Sequence, residues 1–233
     1  MKIFSVRRGF ASDHSSTSYE FLAIDKPLDK EARAAVSSLS SRANPTRHTV
    51  SFIYHADGYD IPGGWSPLME NYYDCMYSES YDWWLLSLAF PLSAEQQKVI
   101  MKYDFRGVDD LGVDVCLDGK RVIVSIHCRL QPYIFHEEYS SFECEDEDDD
   151  DKDEKPDKES MNKIKDPLLR LLAEIREQLM QGDYRALYEV WKLYGFDEEE
   201  LEDDQPWPNP PVPEEKGTGK NIMAAFAEML DTL

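Results

Sequence analysis

The chain has 233 residues, 42% of them hydrophobic, and a formal net charge of −22. That length holds one or two domains of ordinary size, and that apolar content suffices for a packed core. The longest apolar run, Trp83 to Phe90, is broken by Ser87 and falls far short of the roughly 20 residues of a membrane helix; the opening MKIFSVRRGF lacks the apolar stretch and cleavage site of a secretory leader, so a soluble, cytoplasmic protein is expected.

Tyr19 to Ile24 (YEFLAI) reads as a strand, ended by Asp25-Lys26-Pro27. Asp29 can cap a helix to about Leu39, with Ala32, Ala35, Val36 and Leu39 at helical spacing. Thr49 to His55 reads as a second strand. After the Gly- and Pro-rich DGYDIPGGWSP, a short helix is expected from Pro67 to Tyr77, with Ser66 as cap. Asp82 to Phe90 is the clearest strand. Ser93 and Gln96 form a capping box for a helix whose buried face is Val99, Ile100 and Tyr103. Val113 to Leu117 and Arg121 to Cys128, joined through Asp118-Gly119, predict a β-hairpin.

Phe21 to Ala32 and Leu86 to Gln97 echo each other: strand, Pro-Leu, capping residue, acid, helix. Two such units, each with a returning strand, predict an α+β fold with a mainly antiparallel sheet, of ferredoxin-like βαββαβ order plus a hairpin.

Asp166-Pro167 opens a further helix with the stripe Leu168, Leu171, Leu172, Ile175 and Leu179. Gly182 ends it, and Asp183 caps a second helix with Leu187, Tyr188, Trp191 and Tyr194, ended by Gly195. Gln205 to Pro213 holds five prolines and reads as an extended strap. Ile222, Met223, Phe226, Met229 and Leu230 make a last amphipathic helix. The expected division is an α+β domain over 1–142, an acidic linker over 143–160, a helical hairpin over 161–196 packing on that domain, an acidic and Pro-rich strap over 197–219, and the terminal helix over 220–233.

Residues 143–160 carry twelve acids and three lysines, and residues 197–204 seven acids and no base. Such like-charged runs stay solvated and read as a spacer. A basic partner surface is the sharper reading, and a nucleic-acid mimic is disfavoured because the acids are clumped in low-complexity sequence rather than spread on a rigid face. With no basic stripe to neutralise phosphates, direct nucleic-acid binding is disfavoured too.

YEFLAIDKPL, LSSRA, NPTR, EIREQLMQGDYRALYEVWKLYG and the late PPVP resemble a family of uncharacterised bacterial proteins. The matching helical motif is carried by Arg176, Gln178, Leu179, Gly182, Asp183, Arg185, Ala186, Leu187, Tyr188 and Trp191. The chain departs from the family pattern over Ser51 to Gly64. The resemblance implies a bacterial, cytoplasmic protein; it brings no activity, cofactor or catalytic residue.

No catalytic constellation stands out. His14 lies among serines, which suits a turn. His55, His127 and His136 with Cys128 lack any metal-ligand spacing, so no metal or cofactor is expected. Cys75, Cys116, Cys128 and Cys144 share no CxxC spacing; Cys116 and Cys128 read as small core residues. Arg7 and Arg8 can grip an anion bidentately, or neutralise the chain's own acids, which is the favoured reading. Arg185, Tyr188 and Trp191 are residue types that anchor interfaces, although Tyr188 and Trp191, three apart, more often face a core; with Trp207 they complete the candidate partner-binding set. The expected function is a non-catalytic protein-binding accessory or adaptor subunit with a protein partner. Two alternatives are a small-molecule enzyme with a site near Arg7, Arg8 and His14, and an acidic inhibitor of a basic protein.

Overall fold

A computed structural model describes residues 17–55, 60–80, 83–118, 121–130, 166–195, 209–214 and 220–231. Seven strands form one sheet: β1 Thr17–Leu22, β2 Thr49–Tyr54, β3 Cys75–Ser80, β4 Trp83–Phe90, β5 Phe105–Arg106, β6 Gly112–Asp118 and β7 Arg121–Cys128. Their order is β2-β1-β3-β4-β7-β6-β5, and every neighbouring pair is antiparallel. The α+β class with a mainly antiparallel sheet is therefore as expected. No described helix is long and apolar enough to cross a membrane.

The ferredoxin-like order is not what forms. That fold needs each helix to carry the chain to a parallel strand, with both helices on one face. Here α1, Lys30–Ser37, returns the chain to β2, the antiparallel neighbour of β1. Moreover α1 and α3, Ala94–Ile100, lie on opposite faces: Val36 joins one core and Ile100 the other. The echoed turns are real at the local level. Asp29 accepts from the Ala32 amide, and Ser93 and Gln96 complete their capping box. Identical caps set where a helix begins, not which side of the sheet it covers.

β3 replaces the second half of an expected helix. The helix α2, Ser66–Asn71, stops early, and Cys75 to Ser80 runs between β1 and β4. A central strand is buried on both faces, so it shows no alternation to read. Two smaller departures have the same origin in layer geometry. Val99 is exposed beside buried Ile100 and Tyr103. Cys116 is exposed although Cys128 is buried, because the sheet face that Cys116 occupies has no described helix over β6.

One face carries α3 and three later helices: α4, Pro167–Met180; α5, Arg185–Tyr194; and α6, Lys220–Met229. Leu168, Leu171, Leu172, Ile175 and Leu179 of α4 all sink into the core formed with Leu86, Leu88, Val124 and Ile126. Each such side chain, fully buried, contributes about 1.5–3 kcal/mol. Asp166 caps α4, accepting from the Leu168 and Leu169 amides at 2.8 and 3.0 Å, and it also accepts from the Tyr77 hydroxyl of β3 at 2.7 Å. Gly182, at φ +82°, closes α4: its amide donates to Leu179 O and that of Asp183 to Gln178 O, both at 3.0 Å. That paired closure requires a left-handed residue. The residue at the cap of α5 is Tyr184 rather than Asp183, though Asp183 still accepts from the Arg185 amide.

α6 is held at its end. The Tyr194 hydroxyl donates to Asp231 O at 2.7 Å, the Asp231 amide donates to Arg129 O, and Leu230 bridges Leu130 just after β7. Pro210 is buried, and Pro211 O accepts from the Tyr103 hydroxyl at 2.8 Å. The second face is covered by α1 and α2 over β2, β1 and β3, around Phe21, Val50, Phe52, Met69 and Tyr73.

Candidate functional site

Among the described residues, helices cover the second face only in part. In β4, Trp84, Leu86, Leu88 and Phe90 point to the α4 side, so Trp83, Leu85, Ser87 and Ala89 point to the other. In β7 the same alternation places Ser125, His127 and, just beyond, Arg129 on that second face; in β6 it places Asp114 and Cys116 there. α2 reaches only the ends of β4 and β7, near Ala89 and Ile123. From there to the β5 edge, no described helix lies on the sheet.

The part of this face over which no described helix lies has a definite composition. Trp83 is 41% exposed, and the Arg129 guanidinium lies 4.9 Å from the centre of its ring. That is a cation–π arrangement. Beside it stand Arg106, Asp114 and His127. Arg106 Nη2 donates to Asp114 Oδ2, His127 Nε2 lies 3.1 Å from the same oxygen, and Arg106 Nη1 donates to Asp110 O at 2.8 Å. Asp109 and Asp110 take left-handed backbone at φ 52° and 60°, an uncommon conformation for a residue with a side chain. Burial, reinforced by the Arg106 charge, lowers the His127 pKa despite the neighbouring carboxylate of Asp114. Burial first, then the Asp114 charge, raises that of Asp104. Beneath these groups the Ser87 and Ser125 hydroxyls bond each other at 2.9 Å.

A second concentration of charge is buried. Asp74, at the start of β3, accepts from the Ile24 and Asp25 amides and pairs with Arg121. Arg121 also donates to the carbonyls of Met69, Tyr73 and Ala89. Arg176 of α4 enters from the other side, donating to Ala89 O at 2.8 Å and to Asp25. Its Nη2 lies 3.6 Å from Asp74 Oδ1. With side-chain exposures of 4% for Asp74 and 5% for Arg176, this is a structural network whose donors and acceptors are matched.

Arg185, Tyr188 and Trp191 fall together on α5. Arg185 forms a forked pair with buried Asp183, through Nε at 2.9 Å and Nη2 at 2.6 Å. Tyr188 stacks on Trp191 with centroids 5.3 Å apart, and both are half-buried against the core. Trp191 is folded towards the end of its own helix, so that a Cβ on Gly195 would sit 2.4 Å from its ring. Arg7, Arg8, His14, His136, Cys144, Trp207 and the acidic runs 143–160 and 197–204 lie outside the described residues. His127 and Cys128 point to opposite faces, and His55 follows β2, four strand spacings or roughly 19 Å from β7. These residues do not converge. Among the described residues no three His, Cys, Asp or Glu side chains are grouped to hold a metal ion.

No family model matches the chain, and neither does any curated protein. Among solved structures it is similar to the ligand-free regulatory subunit of aspartate kinase from Thermus thermophilus, at 19% identity over 49% of this chain and 84% of that one. The TM-score is 0.21, a level at which the likeness carries neither fold nor function.

Proposed function

We propose that this chain is a non-catalytic accessory protein of the bacterial cytoplasm that binds a protein partner through the part of its second sheet face over which no described helix lies. The observation that supports this reading is the Trp83–Arg129 pair, presented on a rigid sheet face beside Arg106, Asp114 and His127. Tryptophan and arginine are the residues that most often dominate binding energy at interfaces. The patch sets Arg106 and Arg129 beside Asp104, Asp110 and Asp114, so it offers a partner both signs of charge. In this reading the acidic run 143–160 serves as a spacer, and the half-buried Tyr188–Trp191 pair supports α5 rather than the partner.

The exposed thiol of Cys116 stands on the same face, whereas Cys75 and Cys128 are buried. A Cys144→Ser chain labelled with benzophenone-maleimide at Cys116 therefore probes this surface. Irradiation in lysate of the native host is expected to give one dominant adduct, lost in Trp83→Ala and Arg106→Glu versions. No adduct, or an adduct indifferent to both substitutions, overturns the reading.

A further inference from the structure

Away from that face, a cleft of about 480 Å³ opens where the β1–α1 loop meets the end of α2. It is of the size that takes a small ligand or one long side chain. Its walls are divided by chemistry. Pro27, Leu28, Ala32, Ala35 and Tyr72 supply an apolar lining. The polar groups are Asp25, Lys26, Asp29, Glu31, Glu70, Asn71, Asp74 and Arg121.

Most of these polar groups are already engaged. Asp74 is saturated by two amides and Arg121, and Arg121 by Asp74 and three carbonyls. Asp25 holds Arg176, and Asp29 caps α1. The Asp74–Arg121 pair is thus a fixed floor, not a grip. Glu31 and Glu70 are different. Both are exposed and line the cleft, one on each helix; the Ser66 hydroxyl donates to one oxygen of Glu70 at 2.8 Å. Lys26 is the remaining cation of the wall.

We infer that this cleft binds a single positive group on a short apolar stem, an alkylguanidinium or alkylammonium. The stem lies along Ala32, Ala35 and Tyr72, and the charge sits between Glu31 and Glu70. An anionic ligand is disfavoured, because Arg121 has no donor pair left to offer and three rim or wall carboxylates would face it. A fully apolar ligand would use only the five apolar wall residues and leave the net negative charge of the wall unmatched. The same group could arrive as a free amine or as the arginine side chain of a peptide.

The test uses the full ¹⁵N-labelled chain and two probes, n-propylguanidinium and the tripeptide acetyl-Gly-Arg-Gly-amide, followed by amide chemical shifts. The expected result is saturable shifts confined to residues 25–35 and 70–74. Glu70→Gln and Glu31→Gln each weaken binding at least fivefold, and Ala35→Trp, which fills the cleft without changing charge, abolishes it. All three positions are exposed, so the fold is retained and the spectra verify it. The stronger probe of the two identifies the source of the group. Shifts spread over the acidic runs, or shifts that persist unchanged in Ala35→Trp, mean general attraction of a cation to an acidic chain and overturn the inference. No shift with either probe at tens of millimolar overturns it as well.

Discussion

Arg176 of α4 and Asp25 of the β1–α1 loop, 151 positions apart in the chain, form an ion pair across the edge of the sheet. The two sides of this pair are unequal. Arg176 is 5% exposed and Asp25 48%, so the energetic weight falls on the arginine's contacts with Ala89 O and Asp74, not on the pair that spans the longest sequence distance. Replacing Asp25 by Ala should therefore cost about 1 kcal/mol or less, as for exposed pairs. Replacing Asp74 by Ala strands Arg176 and Arg121 together and should cost about 3–5 kcal/mol. Urea denaturation of both variants checks the ranking; equal costs would refute this division.

Tyr77 and Asp166 tie β3 to the first turn of α4. Tyr77→Phe removes one hydrogen bond to a carboxylate and should cost about 1.5–3 kcal/mol. Asp166→Ala loses that bond and the cap, the cap contributing about 0.5–2 kcal/mol more. A double-mutant cycle should return a coupling energy of at least about 0.5 kcal/mol, the lower end for residues in contact. A coupling near zero would mean that the bond contributes nothing to stability.

Gly107 lies against the end of α5. A Cβ there would stand 1.8 Å from Tyr194 O, a rigid backbone atom. Gly107→Ala should cost about 1–3 kcal/mol by overpacking. Gly63 offers the contrast, with φ +84° and open space for 4 Å around the point where a methyl would stand, so Gly63→Ala incurs only the left-handed penalty of about 1–2 kcal/mol. Crystal structures of the two variants should show α5 displaced in the first and unmoved in the second.

His127 gives a pH signature. Its folded pKa is below the ordinary value, mainly through burial and then through Arg106. Well above the ordinary histidine range, folded and unfolded chains are both neutral at this position, and it contributes no pH dependence. As pH falls through that range, the unfolded chain takes up the proton first, so stability declines. The midpoint of the His127 ring resonance should lie below that of an exposed histidine. It should rise in Arg106→Ala, which removes a repulsive charge, and fall further in Asp114→Asn, which removes the attractive one. Opposite movements in the two variants are the diagnostic result.

Local signals in the sequence suffice wherever one element decides the outcome. Asp29, Ser93 with Gln96, Asp166 and Gly182 act within a single turn, and each does in the structure what its position implies. The leucine stripe of α4 is equally local in origin. β3 is not legible, because Cys75, Met76 and Tyr77 are buried on both sides and carry no period. The sheet order is not legible either, since nothing in the echoed Pro-Leu turns states which face a helix will take. Among the candidate site residues, Arg185, Tyr188 and Trp191 do cluster, at helical spacing. The Trp83–Arg129 pair leaves no mark in the sequence, because its two members are far apart along the chain and meet only when β4 pairs with β7.

The placement of α4 has a consequence for a chain made from its N-terminus onward. All seven strands precede residue 130, yet the helices that cover Leu86, Leu88, Val124 and Ile126 begin at Pro167. While the ribosome is still adding the acidic run, the sheet is complete in sequence and one apolar face has α3 but not yet the three later helices. Nascent chains in that interval present a surface that associates readily. The highly charged stretch emerges next, ahead of α4, and adds like-charge repulsion between neighbouring nascent chains.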